Sequence, residues 1–442
     1  MSIKKYLPLL FILLSFTAKA NYMLVQNVTK LGNNPTNKTI QIQFDLSWQN
    51  SWRDSINWDA AWIFIKFKDA NGLWQHARIN LAGYLSGAGT SNTIKVASDS
   101  VGAFVYRSAL GSGNFNATSM QLQWNYGASG LTDASALEVR VFATEMVYVP
   151  QGDFNVAKTF YVETSSCCGN NNPNSFYAPG NNFPVINSRL SPVVTYNDGT
   201  AVSLRIKGDA GIDSNNDGVV DNLTYPTGYK AFYCYKYELT EQQYADFLNT
   251  LTSTQITNIG LAGLSISLNN GNYFSSTPNR ACGNANASKI YSYADWSGLR
   301  PLSILEFNKA SYGPLMPVLN QFLCCPGGYT ASNSSNAFNF YEIGNGFSST
   351  LLDVGSYATS TSTSRESSGA SYYGIMDLTG NAFEPVISLS SLSFDKLNGN
   401  GILSLSGNTD VSNWNSSALI FIDQYSSFGV RSSGFRYVRS AE

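Results

Sequence analysis

Histidine is almost missing from this chain: one residue, His76, in 442. A single histidine speaks against a histidine-rich metal centre and against a serine–histidine–aspartate triad. Its setting, Trp74-Gln-His-Ala-Arg78, reads as a strand, which makes His76 a structural or surface residue. Charge is scarce too. Charged residues make up 13% of the chain and the net charge is −2, with no basic stripe. That excludes a phosphate backbone as partner, so nucleic acid is not expected. There is no apolar run of the about 20 residues that a membrane-crossing helix needs. There is also no Cys-x-x-Cys spacing with a histidine nearby, the usual mark of a metal-binding cluster.

What is present points outward. The N-terminus has a basic start at Lys4 and Lys5, a short apolar run from Leu7 to Phe16, and Thr17-Ala18-Lys19-Ala20. These are the three parts of a removable secretory signal, expected to span residues 1–20. Cleavage would leave Asn21 first, with no cysteine to carry a lipid. The mature chain is thus expected to be secreted, extracellular or at the cell surface, with the periplasm as a further compartment. Its six cysteines, Cys167, Cys168, Cys234, Cys282, Cys324 and Cys325, are then disulfide candidates whose pairing the sequence leaves open. Two of the pairs are neighbours in sequence, and a bond between neighbours strains the peptide, so each is expected to pair elsewhere.

Residues 21–144 read as strands. Thr39 to Trp48 alternates, with Ile40, Ile42, Phe44, Leu46 and Trp48 on one face, and Ala61 to Phe67 is an apolar run. Met120–Trp124 and Leu137–Phe142 alternate again, with turns such as Asp69-Ala-Asn-Gly72 between runs. Such spacing predicts an all-β sandwich. The tryptophans at 48, 52, 58, 62 and 74 suit either its core or a carbohydrate platform. After residue 144 the texture changes to long Gly/Asn/Ser stretches with few helices. Thr240 caps a helix whose Tyr244, Phe247, Leu248 and Leu251 share a face. Ser303 and Glu306 form a capping-box pattern at the start of another. The Ser/Thr-rich stretch from Thr359 to Ser371 reads as a surface loop.

Five segments then fall in one order: Met146–Phe154, Phe232–Leu248, Ala294–Phe307, Tyr373–Glu384 and Ser433–Arg439. Together they resemble the formylglycine-generating-enzyme (sulfatase-modifying factor) family. The resemblance covers roughly residues 146–439 and implies the loop-rich α+β fold related to C-type lectins. The expected fold class is therefore α+β, with a sulfatase-modifying-factor-like domain over residues 145–442 preceded by the sandwich. The resemblance also implies a structural calcium site at the Asn-x-x-Glu turn, here Asn381 and Glu384. The turn departs from the family pattern in having Phe383 for Trp and Pro385 after the Glu.

The resemblance stops at the chemistry. Family enzymes use two cysteines shortly before the terminal Gly-Phe-Arg to hold copper, and a sister branch holds iron with histidines. The stretch from Ile402 to Ser433 has no cysteine, so copper is not expected, and His76 lies outside the family-like part. Glu238, Glu241, Glu306, Asp377 and Glu384 show no spacing that singles out a catalytic pair. A second calcium-type pattern comes from the residues themselves. Asp213, Asn215 and Asp217 alternate, Gly218 turns the chain, Val219 offers a carbonyl and Asp221 follows. The closing glutamate of that loop type is replaced by Thr224, and the alternative is a solvated acidic turn.

The expected function is a non-catalytic binding or structural protein serving adhesion or surface assembly, with a protein or glycan at the cell surface as partner. A homo-oligomer fits as well. Two alternatives remain: a copper-dependent oxidoreductase acting on a protein cysteine, and a carbohydrate-binding protein.

Overall fold

The structure, a computed structural model, describes residues 23–156, 185–188, 193–195, 201–203, 221–315, 351–356, 358, 368–378, 381–389, 394, 397–414, 419–422 and 432–441. The chain begins with β1 (Leu24–Asn34), β2 (Thr39–Arg53), β3 (Asp59–Lys68), β4 (Trp74–His76), β5 (Ala88–Gly89), β6 (Asn92–Val96), β7 (Ala103–Arg107), β8 (Gly111–Asn125) and β9 (Val139–Val149). Two small pairs follow: β10 (Phe154–Asn155) with β11 (Val185–Ile186), and β12 (Val193–Thr195) with β13 (Ala201–Ser203). Then come β14 (Phe232–Tyr235), α1 (Glu241–Leu248), α2 (Ser253–Ile259), the hairpin β15 (Ile266–Asn269) and β16 (Asn272–Ser275), and α3 (Ala287–Trp296). The last elements are β17 (Arg300–Ser303), α4 (Ile304–Tyr312), β18 (Glu384–Ile387), β19 (Leu419–Ile422) and β20 (Tyr437–Ser440). The fold is mixed, with strands outweighing helices among the described residues.

Two sheets dominate. One has the order β1-β2-β8-β5; the other, of ten strands, runs β19-β18-β17-β20-β14-β9-β3-β7-β6 with β4 on β3. Strand β3 shows how they combine. Its odd-numbered apolar residues Ala61, Ile63, Ile65 and Phe67 join a core with Ile40, Ile42, Phe44, Leu46 and Trp48 of β2. Its even-numbered Ala60, Trp62 and Phe64 join a second core with Phe247, Trp296 and Phe307 of the helices. Alternation along a strand sends successive side chains to opposite faces, so a strand between two layers must be apolar on both. That is why Ala61–Phe67 reads as a continuous run while Thr39–Trp48 alternates. The layers are sheet, sheet and helices.

The two expected modules meet inside a strand. β9 pairs with β3 from Val139 to Val147 and with β14 from Met146 to Val149. The expected units at 21–144 and 145–442 share a sheet: residues 144 and 145 are neighbours within β9, and one sheet continues through them. The aromatic content hid this, since Trp62 and Phe64 could have faced either core.

Both expected helices form. The Thr240 hydroxyl accepts a hydrogen bond from the Gln243 backbone, and the Thr240 backbone N–H donates to the Gln243 side-chain oxygen in return. Ser303 and Glu306 do the same for α4. Of the tryptophans, Trp48 and Trp62 are core, while Trp52, Trp58 and Trp74 are partly buried. Most of the Thr359–Ser371 loop lies outside the described residues. No helix among the described residues is long and apolar enough to cross a membrane.

Candidate functional site

The five family-like segments converge. Each supplies or leads into one of β9, β14, β17, β18 and β20, and these strands are consecutive in the large sheet. Their carboxylates, though, are taken up internally. Glu306 accepts two bonds from the Arg300 guanidinium, at 2.7 and 2.6 Å. Glu241 accepts from Leu264 N at 2.8 Å and from the hydroxyls of Ser265, Ser275 and Thr277, which fastens β15–β16 to α1. Glu238 accepts from Ala382 N at 2.8 Å and from the Asn381 amide. Burial, then the nearby charge of Asp377, pushes Glu238 up to about 8. Asp377 accepts from Gly355 N at 2.7 Å, and burial raises its carboxyl too. Arg436 stands among them, donating to Glu384 at 3.2 Å and to the carbonyls of Tyr235, Met376 and Asp377. Each of these carboxylates is buried with an internal partner, and Glu238 also lines a concavity among the described residues.

The expected calcium ligands do not gather here. Asn381 accepts at its oxygen from Leu352 N and donates its amide to Glu238, whereas Glu384 accepts from Arg436. A guanidinium thus supplies the positive charge beside Glu384. Asn381 adopts a left-handed backbone conformation, at φ 58°. Asp213, Asn215, Asp217 and Val219 lie outside the described residues, and Asp221 is exposed. Among the described residues no group of three or more His, Cys, Asp or Glu is placed to hold a metal.

Two of the six disulfide candidates, Cys234 and Cys282, are instead buried free thiols. Their burial in the aromatic core explains the difference: they pack as small apolar residues. Burial pushes the Cys234 thiol up to about 12 and Cys282 well above its ordinary range. Neither is a thiolate that could attack or hold a soft metal. The other four cysteines lie outside the described residues. His76 is likewise structural. Its Nε2 donates to Val101 O at 2.6 Å, and a side chain on Gly401 (φ +86°) would meet its Nδ1 at 2.0 Å.

Two concavities flank this core. The first, of about 280 Å³, is lined by Glu145, Glu238, Asp246, Tyr235, Tyr237 and Thr240. Glu145 lies 2.6 Å from Lys236. Burial, with Asp59 adding, pushes Glu145 up to about 8 despite Lys236. The folded protein therefore keeps a proton that an unfolded carboxyl gives up near pH 4.5. This stabilising proton is fully held at low pH, and stability falls as the pH rises through about 8. Glu145→Gln keeps the neutral shape and removes the titration. The difference in unfolding free energy, variant minus wild type, should move in the variant's favour by on the order of 2 kcal/mol between pH 5 and pH 9. Parallel pH curves for the two proteins in thermal denaturation would refute this.

The second concavity is a groove of about 550 Å³. One wall is the β3–β4 hairpin, with Lys66, Lys68, Trp74 and Gln75; the floor includes Trp296 at the end of α3. The other wall is the turn between α1 and α2 and the loop Gly401–Leu405. That loop is held from several sides. Asp295 accepts from Asn400 N, Thr409 Oγ1 and Asp410 N at 2.7 to 3.1 Å. Gln255 donates to Ser404 O at 3.0 Å, and Asn258 to Ser406 O at 3.1 Å. Lys66 donates to Gly401 O at 2.6 Å, tying β3 to the loop. A shaped, pre-built groove with rings, amides and cations is what a binding site needs. The lysines were visible in sequence as charges interrupting an apolar strand, a signal the strand assignment passed over.

No protein-family model matches the chain, and no curated protein matches it.

Proposed function

We propose that this is a non-catalytic binding protein that works outside the cytoplasm, displaying a preformed groove on a C-type-lectin-like, formylglycine-generating-enzyme-like frame joined to an N-terminal β-sandwich layer. The observation that carries the reading is a contrast. The carboxylates and thiols of the family-like segments are consumed by internal partners, while the groove beside them is open and its loop is anchored. The adjacency of the five segments in one sheet supports the family-like frame. Calcium belongs to this reading as a structural ion of the Asp213–Asp221 loop rather than a reactant. Adhesion or surface assembly is the role that suits such a protein.

The test uses the mature chain. Incubated with Cu(I) and a cysteine-containing peptide, it should leave the cysteine unchanged by mass spectrometry, while binding saturably to intact cells or their surface material. Conversion of the cysteine to formylglycine would overturn the reading.

A further inference from the structure

We propose that the groove between the β3–β4 hairpin and the Gly401–Leu405 loop binds an acidic saccharide, its carboxylate directed at Lys68, with Lys66 buried behind it, and its ring against the aliphatic wall. This rests on the reading of the protein as a binding protein and adds the chemistry of its ligand.

Charge is the first argument. The groove lining contains two lysines and no aspartate or glutamate, in a protein whose net charge is negative. Lys66 and Lys68 are two apart on β3 and so share a face, with Trp74 paired opposite Lys68 and Arg140 opposite Lys66. The Arg140 guanidinium lies 4.4 Å over the Trp74 ring and the Lys68 ammonium 5.9 Å from it. The acid on this rim, Glu138, is half exposed and stands 4.0 Å from Lys68 and 3.4 Å from Arg140. An anion entering the groove meets a cationic wall that its neighbours only partly neutralise.

A buried ammonium behind the wall is the second argument. Lys66 adds capacity: its ammonium spends a bond on Gly401 O, and it carries three donors. Burial pulls Lys66 well below the usual lysine range, with Asp295 opposing and Arg78 assisting. A bound carboxylate would favour its charged form, as an opposite charge does at close range.

Shape and texture select among anions. The groove volume of about 550 Å³ lies within the range of small-ligand sites. Its lining mixes Leu73, Leu251 and Leu403 with Thr254 and Gln75, so it offers apolar faces and hydroxyl partners together. A uronic acid ring has an apolar face, a hydroxyl rim and one carboxylate, and meets all three.

The experiment is titration calorimetry on the mature chain with a galacturonic acid trisaccharide, a neutral glucose trisaccharide and an acidic peptide. The acidic sugar should bind at least about tenfold more tightly than the neutral one, since charge-assisted bonds are roughly twice as strong as neutral ones. Lys68→Gln, at a half-exposed position, should keep the melting temperature and weaken binding by about tenfold or more. Equal affinity for both sugars, or an unchanged Lys68→Gln protein, would overturn the proposal. So would preferential binding of the acidic peptide, though that result would leave the protein a binding protein; failure of all three ligands alongside retained binding to cells would do the same.

Discussion

Trp62→Ala is expected to lower the stability of the whole protein by about 3–5 kcal/mol, and to do so in one transition. Trp62 is fully buried on the helix-facing side of β3, and its indole donates to Ser297 O at 2.9 Å, just past α3. The Arg439 guanidinium sits 4.3 Å over the ring, with Phe104 at 4.8 Å on the other strands. Arg439 also reaches Gly298 O and Asp99, so the truncated cavity would loosen contacts between β20, the α3–β17 turn and the loop before β7. Because the two faces of β3 serve the two large cores, as those of β7 do, damage on one face should reach both. Far-ultraviolet circular dichroism should report the same midpoint as amide exchange in α3 and α4. Two separate midpoints, with α3 unaffected, would mean that the N-terminal strands form an independent module after all.

That prediction marks where sequence stopped being informative. The half-buried strand β2 was legible because its period of two separates core from solvent, and every expected apolar residue in it is buried. The caps at Thr240 and Ser303 were legible because capping is local, settled within four residues. The module boundary was not. A strand buried on both faces has no alternation to reveal its neighbours, and pairing between β9 and β14 joins residues about ninety apart by chain, which no local pattern records. The site followed the same rule. Glu306 with Arg300 is a short-range pair, while Glu384 with Arg436 and Glu238 with Asn381 are long-range pairs that only folding assembles. The groove was invisible because its walls come from β3–β4, the α1–α2 turn and the loop near residue 401. Lys66 sat inside a run read as apolar and Lys68 just beyond it; in the fold both line the groove.

Arg436→Met is the second change expected to be severe, and its cost should depend on pH. The guanidinium is fully buried and is the shared cation of a cluster containing Glu384, Glu238 and Asp377. Methionine can fill much of the volume but leaves Glu384 without its ion pair and the carbonyls of Tyr235, Met376 and Asp377 without their donor. Removing one partner of a buried pair costs about 3–5 kcal/mol, because the remaining charge stays desolvated. The charge of Arg436 also opposes the burial that raises the Glu238 and Asp377 carboxyls. Without it both would rise further, and each could escape the penalty only by taking a proton. The loss of stability should therefore be smaller at pH 5, where protons are available, than at pH 8, where the folded state must either ionise these groups or hold protons against the solvent. Adding Glu384→Gln to Arg436→Met should recover part of the loss at pH 8 by removing the stranded charge. Denaturant unfolding of the three proteins at both pH values decides it: equal losses at pH 5 and pH 8, or no recovery in the double variant, would show that Arg436 acts through its packing and not through its charge.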